Sequence, residues 1–164
     1  MSSQAPFDPI PILHALADAG VDFVVIGGVA GGVHGSAYPT YDLDVAYAHD
    51  PKNLELMAGV LQSLGATLRG APPDVAFQLD AKTLERGGNF TFETEFGPFD
   101  IPAYPGGSAS YDRLREDARV IDVEGRRIRV ASLDHLIAMK EEAGRPKDKL
   151  MALEYRVLAD EEDS

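Results

Sequence analysis

The sequence predicts a mixed α/β (α+β) domain with helices at both ends, and three observations carry that prediction. A β-branched run, Val21 to Ile26, stops at a glycine pair and is followed by a second short strand bearing two acids. Asn89 to Glu95 alternates apolar and polar residues, and Gly97-Pro98 turns it back into Phe99-Asp100-Ile101 as a hairpin. The two ends of the chain instead repeat apolar residues at helical spacing: Ile10, Leu13 and Ala17 near the start, and Leu133, Leu136 and Ile137 near the finish.

Taken in order, Phe7 to Ala19 reads as the first helix, with Pro9 and Pro11 placing its start at about residue 9 and Gly20 ending it. Val21 to Ile26 is a short buried strand. Gly28 to Val33 is a short helix of small residues, closed by His34-Gly35, and Tyr41 to Tyr47 is the strand with the acids. Asp50-Pro51 opens a helix with Leu54, Met57, Ala58 and Leu61 on one face and Gly65 at its end. Ala66 to Leu68 and Val75 to Leu79 are strand candidates about an Ala71-Pro72-Pro73 turn, and Tyr104 to Ala109 is a glycine-rich loop. Tyr111 to Ala118 suits one or two helical turns. Val120 to Val123 and Arg127 to Val130 pair about Glu124-Gly125. Ser132 caps a helix whose stripe runs Leu133, Leu136, Ile137, Lys140. Pro146 starts a last helix with Leu150, Leu153 and Val157 as its expected packing face. One domain is expected: a core of about residues 9–130, a helical segment of about 132–159 and an acidic tail, 160–164.

Chemistry concentrates between Gly27 and Asp44. Side chains alternate along a strand, so Asp42 and Asp44 project from one face, roughly 6.6 Å apart at Cα. Carboxylates that close repel unless a cation lies between them. Mg²⁺ takes oxygen ligands, commonly one or two carboxylates plus substrate phosphates. Asp100 interrupts an apolar strand and is the candidate third acid. Taken alone, a D-x-D also suits the solvated face of an edge strand. The Gly27-Gly28 turn, which frees backbone N–H groups to approach a phosphate, and Thr40 nearby favour a site.

The run GGVAGGVHGSAYPTYDLDV resembles the signature of the DNA polymerase β-type nucleotidyltransferase superfamily, a Gly-Gly/Ser turn followed by a D-x-D/E strand. It is similar in particular to small prokaryotic nucleotidyltransferases related to abortive-infection type IV toxins. Their C-terminal helical stretch resembles LDHLIAMKEEAGRPKD here, so the likeness covers about residues 21–47 and 128–158. The resemblance implies a twisted mixed sheet flanked by helices, and Mg²⁺ (or Mn²⁺) held by Asp42, Asp44 and Asp100. It implies an NTP as substrate, its triphosphate met by Gly27, Gly28 and Thr40. Many relatives carry Arg two residues before the Thr, where this chain has Tyr38. That departure keeps open a second reading: a module that binds nucleotide or a partner without transfer, in a toxin–antitoxin pair for example.

No basic residue lies between Gly27 and Asp44, so cations from the far end of the chain are needed. Lys140 falls where the apolar stripe of its helix would continue, which suits either a stem snorkelling over apolar surface or an ammonium at the phosphates. Arg145 and Lys147 follow one turn later as further candidates. Asp148 beside them reads most simply as an acid favoured by a helix N-terminus. Arg126, Arg127 and Arg129 are expected on the surface of the last hairpin, and His34 at a helix end.

Composition excludes several alternatives. The sequence has no Cys, hence neither disulfides nor thiolate sites. His14, His34, His49 and His135 have no zinc-site spacing, and neither G-x-S-x-G nor a P-loop occurs. Residues 1–112 hold 4 Lys/Arg against 14 Asp/Glu, and residues 113–156 hold 11 against 9, so an extended DNA footprint is not expected. No apolar run spans a bilayer and no secretory signal opens the chain, which together predict a cytoplasmic protein. The acceptor of the nucleotide is left open among protein, tRNA and a small hydroxylated molecule.

Overall fold

A computed structural model describes residues 6–70, 80–103 and 107–163. The expected Ala71-Pro72-Pro73 turn, the Val75 to Leu79 strand and the first half of the Tyr104 to Ala109 loop lie outside these residues.

Among the described residues, seven strands form one mixed sheet in the order β3-β4-β5-β2-β1-β7-β6. The centre is β1 (Phe23–Ile26), buried along its whole length, antiparallel to β2 (Leu43–Tyr47) and parallel to β7 (Arg126–Val130). On the other side of β2 lies β5 (Gly97–Ile101), parallel to it, then β4 (Phe90–Thr94) and β3 (Thr67–Leu68), each antiparallel to its neighbour. At the opposite edge β6 (Arg119–Val123) pairs with β7 as the expected hairpin.

Local chemistry explains the helix limits. Helix α1 (Pro9–Ala19) starts where the Asp8 carboxylate accepts from the Ile10 N–H at 3.1 Å, and stops at left-handed Gly20. Helix α2 (Gly27–Val33) follows β1 directly, one residue earlier than expected. Asp50 caps α3 (Pro51–Ser63) through the Asn53 N–H. Inside α3, buried Asn53 bonds the Asp22 N–H and the carbonyls of Asp22 and Ala48, joining the start of β1 to the end of β2. Helix α4 (Ala81–Glu85), capped by Asp80, has no counterpart in the sequence reading, because five residues are too few to show a period. Helix α5 (Gly107–Glu116) begins four residues earlier than expected, inside the supposed glycine loop. Ser132 caps α6 (Leu133–Ala143) as expected, and α7 (Pro146–Glu162) runs into the acidic segment beyond residue 160.

Three expectations are corrected. The turn between β4 and β5 is Glu95-Phe96, and Gly97 and Pro98 already lie in β5, paired with Thr94 and Glu93. The acid strand starts at Leu43, so Asp42 stands just ahead of it. On α7 the buried side chains are Asp148, Met151, Ala152 and Tyr155, while Leu150, Leu153 and Val157 are 58%, 60% and 58% exposed. Met151 and Tyr155, one turn apart, form the inward face, and paired Asp148 extends it. Among the described residues, no helix is long and apolar enough to cross a membrane.

Candidate active site

The site is built on one row of the sheet. Ile26 pairs with Asp44, Asp44 with Asp100, and Asp100 with Thr91. The Arg69 N–H donates to the Thr91 carbonyl at 2.8 Å, which continues the row past β3. Directly paired residues point to the same face of a sheet. Asp44, Asp100, Thr91 and Arg69 therefore share a face, and a strand register rather than a local motif aligns them.

Asp42 joins the row from just outside β2. One carboxylate oxygen from each of Asp42, Asp44 and Asp100 lies within 4.8 Å of the other two. Burial, reinforced by the two neighbouring acids, pushes the Asp44 carboxyl up to about 8. Asp42 is raised in the same direction by burial and by its contact with Asp100, against the weaker pull of Arg69 and Lys140. One oxygen of Asp100, Oδ1, is buried without a hydrogen-bond partner. Three convergent hard oxygen donors, two of them unwilling to ionise and one unsatisfied, fit a divalent cation of the Mg²⁺ type.

The glycine turn is shaped around these acids. A Cβ on Gly27 would lie 2.1 Å from Asp44 Oδ2, and one on Gly28 2.7 Å from Thr40 Oγ1. Gly27 also has φ +69°, a left-handed conformation that glycine adopts without strain. Thr40 donates its hydroxyl to the Asp42 carbonyl at 3.2 Å, so it braces the acid-bearing loop. Two helix-borne groups hold the same loop from outside. Glu154 of α7 accepts from Ser36 Oγ at 2.5 Å and from the Ala37 N–H at 3.0 Å. His34, whose side chain is 3% exposed, closes α2, with Nε2 2.8 Å from the Ala131 carbonyl and Nδ1 2.9 Å from Glu162. Tyr38 packs part-buried against the core.

The cations divide. Lys140 is half-buried, and its charge acts on both Asp42 and Asp44, so α6 does bring an ammonium toward the acids. Its Nζ also lies 3.3 Å from Asp148 Oδ1. Arg145 is exposed and turned to Asp148, Nε to Oδ2 at 2.7 Å, and Lys147 is exposed on the first turn of α7. Asp148 is thus a 1% exposed anion between two cations, which hold its carboxyl below the usual range, and its role is larger than that of a helix-end acid. Arg69 was invisible in the sequence. It is paired with Glu93 at 2.5 Å and its charge reaches Asp42 and Asp100, a position set by the β3–β4–β5 register alone.

No protein-family model matches the chain, and no curated protein does. Solved structures do share its fold. It is similar to the lincosamide antibiotic adenylyltransferase LnuA in its lincomycin-bound form, with TM-score 0.60, 14% identity, and 90% of this chain and 94% of that one covered. It is similar to ANT(2″)-Ia in complex with adenylyl-2″-tobramycin, with TM-score 0.52, 14% identity, and 92% and 84% covered. A third is an antigenic nucleotidyltransferase-like protein from Paracoccidioides brasiliensis, with TM-score 0.53, 13% identity, and 90% and 72% covered. The chain has the nucleotidyltransferase fold: a mixed open sheet flanked by helices with a C-terminal helical pair.

Proposed function

We propose that this protein is a Mg²⁺-dependent nucleotidyltransferase that moves an NMP from an NTP to a hydroxylated acceptor and releases pyrophosphate. The observation that carries the reading is the convergence of Asp42, just ahead of β2, with Asp44 of β2 and Asp100 of β5, Asp100 Oδ1 being left buried and unpartnered.

In this reading Asp42 and Asp44 hold the cation, for which Mn²⁺ can substitute. Mg²⁺, when bound, supplies charge neutralisation at the phosphate oxygens. Asp100 accepts the proton of the acceptor hydroxyl as its oxygen attacks the α-phosphorus. One P–O bond forms there, and the bond to the pyrophosphate breaks. The backbone N–H groups of the Gly27-Gly28 turn, which packs directly on Asp44 and Thr40, meet the triphosphate. Lys140 supplies positive charge on the α6 side, with Arg145 and Lys147 behind it, and Arg69 supplies it on the β3 side. Support for a small acceptor comes from the fold neighbours crystallised with lincomycin and with an adenylylated tobramycin, although protein and tRNA acceptors have the same chemistry.

The test is transfer of label from α-³²P-NTP to a panel of acceptors. Asp42→Ala with Asp44→Ala should abolish labelling and leave the circular dichroism spectrum unchanged. Wild-type transfer by the double variant sinks the proposal. A second reading, nucleotide binding without transfer, is favoured by the engagement of Lys140 with Asp148 and by Tyr38 where relatives carry Arg. Metal-dependent NTP binding by calorimetry, with no acceptor labelled, distinguishes it. Membership of a toxin–antitoxin pair is a further possibility within that reading, and the neighbouring genes test it.

A further inference from the structure

We propose that α7 is a self-association surface, through which two copies of this chain pair with their α7 helices antiparallel. The stripe Leu150, Leu153, Val157 has i, i+3, i+7 spacing and is more than half exposed at every position. Such spacing makes one straight apolar ridge on a helix, here about 10 Å long. It lies on the side of α7 opposite Asp148, so a partner there leaves the carboxylate site open.

The charges around the ridge identify the partner. Exposed Lys147 and Lys149 stand at the N-terminal end of α7, and exposed Asp160 and Glu161 at its C-terminal end. That arrangement is unfavourable for an isolated helix, whose dipole prefers acids at its start and bases at its end. The first-turn acid, Asp148, is turned inward to Lys140 and Arg145, and the last turn has no base. Within the chain Glu162 already meets His34 and Arg119, and an antiparallel second α7 brings Asp160 of each copy to the basic end of the other.

The register agrees. At about 100° per residue, Lys149 and Asp160 fall on one flank of the ridge and Lys147 and Glu161 on the other. A twofold axis between antiparallel helices sets each flank against the same flank of the copy. Lys149 then faces Asp160 of the copy. The midpoints of this pair and of the ridge itself both fall between residues 153 and 155. A second copy carries the complement of this pattern on the Lys149/Asp160 flank, and Glu154, central on the other flank, is engaged with Ser36 and Ala37 of its own chain. A contact confined to one helix is small, so the dimer is expected to be weak, with a dissociation constant on the order of micromolar.

Sedimentation velocity of the full chain from about 1 to about 200 μM tests this. A concentration-dependent monomer–dimer equilibrium is expected. Leu153→Asp should weaken it at least tenfold with unchanged circular dichroism. Lys149→Glu and Asp160→Lys should each weaken it several-fold, and the double variant Lys149→Glu/Asp160→Lys should restore it. A chain that stays monomeric throughout overturns the proposal and leaves the face to a different protein. A dimer indifferent to Leu153→Asp, or a charge swap that fails to restore pairing, overturns it as well.

Discussion

Gly27 and Asp44 occupy one another's space: a Cβ on Gly27 would lie 2.1 Å from Asp44 Oδ2. The turn and the acid are therefore a single feature, although 16 residues separate them. Gly27→Ala must strain a φ of +69° and displace the carboxylate, at a cost of about 1–3 kcal/mol. Calorimetry with Mn²⁺ should show at least a tenfold loss of affinity. Gly32, further along α2, has nothing within 4 Å of its Cβ position, and Gly32→Ala should instead stabilise the fold by about 0.5–1 kcal/mol. Urea denaturation compares the two, and equal effects would separate the turn from the acid.

The raised acids set the sign of a pH dependence. Asp44 titrates near 8 in the folded, metal-free chain against about 3.9 unfolded. Between those values the folded chain keeps a proton that the unfolded chain has released, so stability falls as pH rises and levels off above about pH 8. Asp42 adds to the same slope. The thermal midpoint in EDTA should decline across this window, Asp44→Asn should flatten the decline, and saturating Mg²⁺ should reverse it. A midpoint that rises toward pH 8 in EDTA would contradict the acid cluster.

Asp148 works in the opposite sense. Its carboxyl is held low by Arg145 and Lys140, so its contribution is present above about pH 4, the unfolded value, and is lost as pH falls through the lowered folded one. Asp148→Ala removes a buried anion from two cations that can still reach water, one of them 77% exposed in its side chain. The expected loss is about 2 kcal/mol by urea denaturation. Arg145→Gln should cost less, because Lys140 remains on Asp148.

Arg69 and Lys140 both oppose the raised state of Asp42, and removing either has two effects of opposite sign. Less positive charge beside the acids should tighten free Mg²⁺ about twofold in Arg69→Gln, a small change because the pair with Glu93 is exposed. The same substitution should weaken a non-hydrolysable NTP in the presence of Mg²⁺. Lys140→Met should follow the same pattern. Calorimetry with each probe reads the two signs, and NTP binding unaffected by both variants would remove these cations from the phosphate-binding role.

Much of the fold was legible because local rules govern it. The caps at Asp50 and Ser132, the pairing of β4 with β5 and the apolar β1 each follow from a few consecutive residues, although the turn between β4 and β5 is Glu95-Phe96 rather than Gly97-Pro98. The acids were legible too, two by the D-x-D pattern, although Asp42 stands ahead of the strand, and Asp100 by its misfit among Phe99 and Ile101. Two local signals misled. Leu150, Leu153 and Val157 satisfy the helical period as well as Met151 and Tyr155 do, and periodicity cannot say which of two apolar stripes finds a neighbour. Asp148 looked like a helix-end acid because its two cations come from different turns.

By itself, the sequence determined which residues can do chemistry and where the chain must turn: glycines, capping acids and strand alternation act within a few residues. Only the tertiary structure decided which of those residues meet. The parallel pairing of β2 with β5 sets Asp44 against Asp100, and the β3–β4–β5 register brings Arg69 to the same face. Lys140 approaches the acids because α6 and α7 pack as a pair and share Asp148. Strand register is decided by the burial of whole faces, a sum over distant residues that no short stretch of sequence contains.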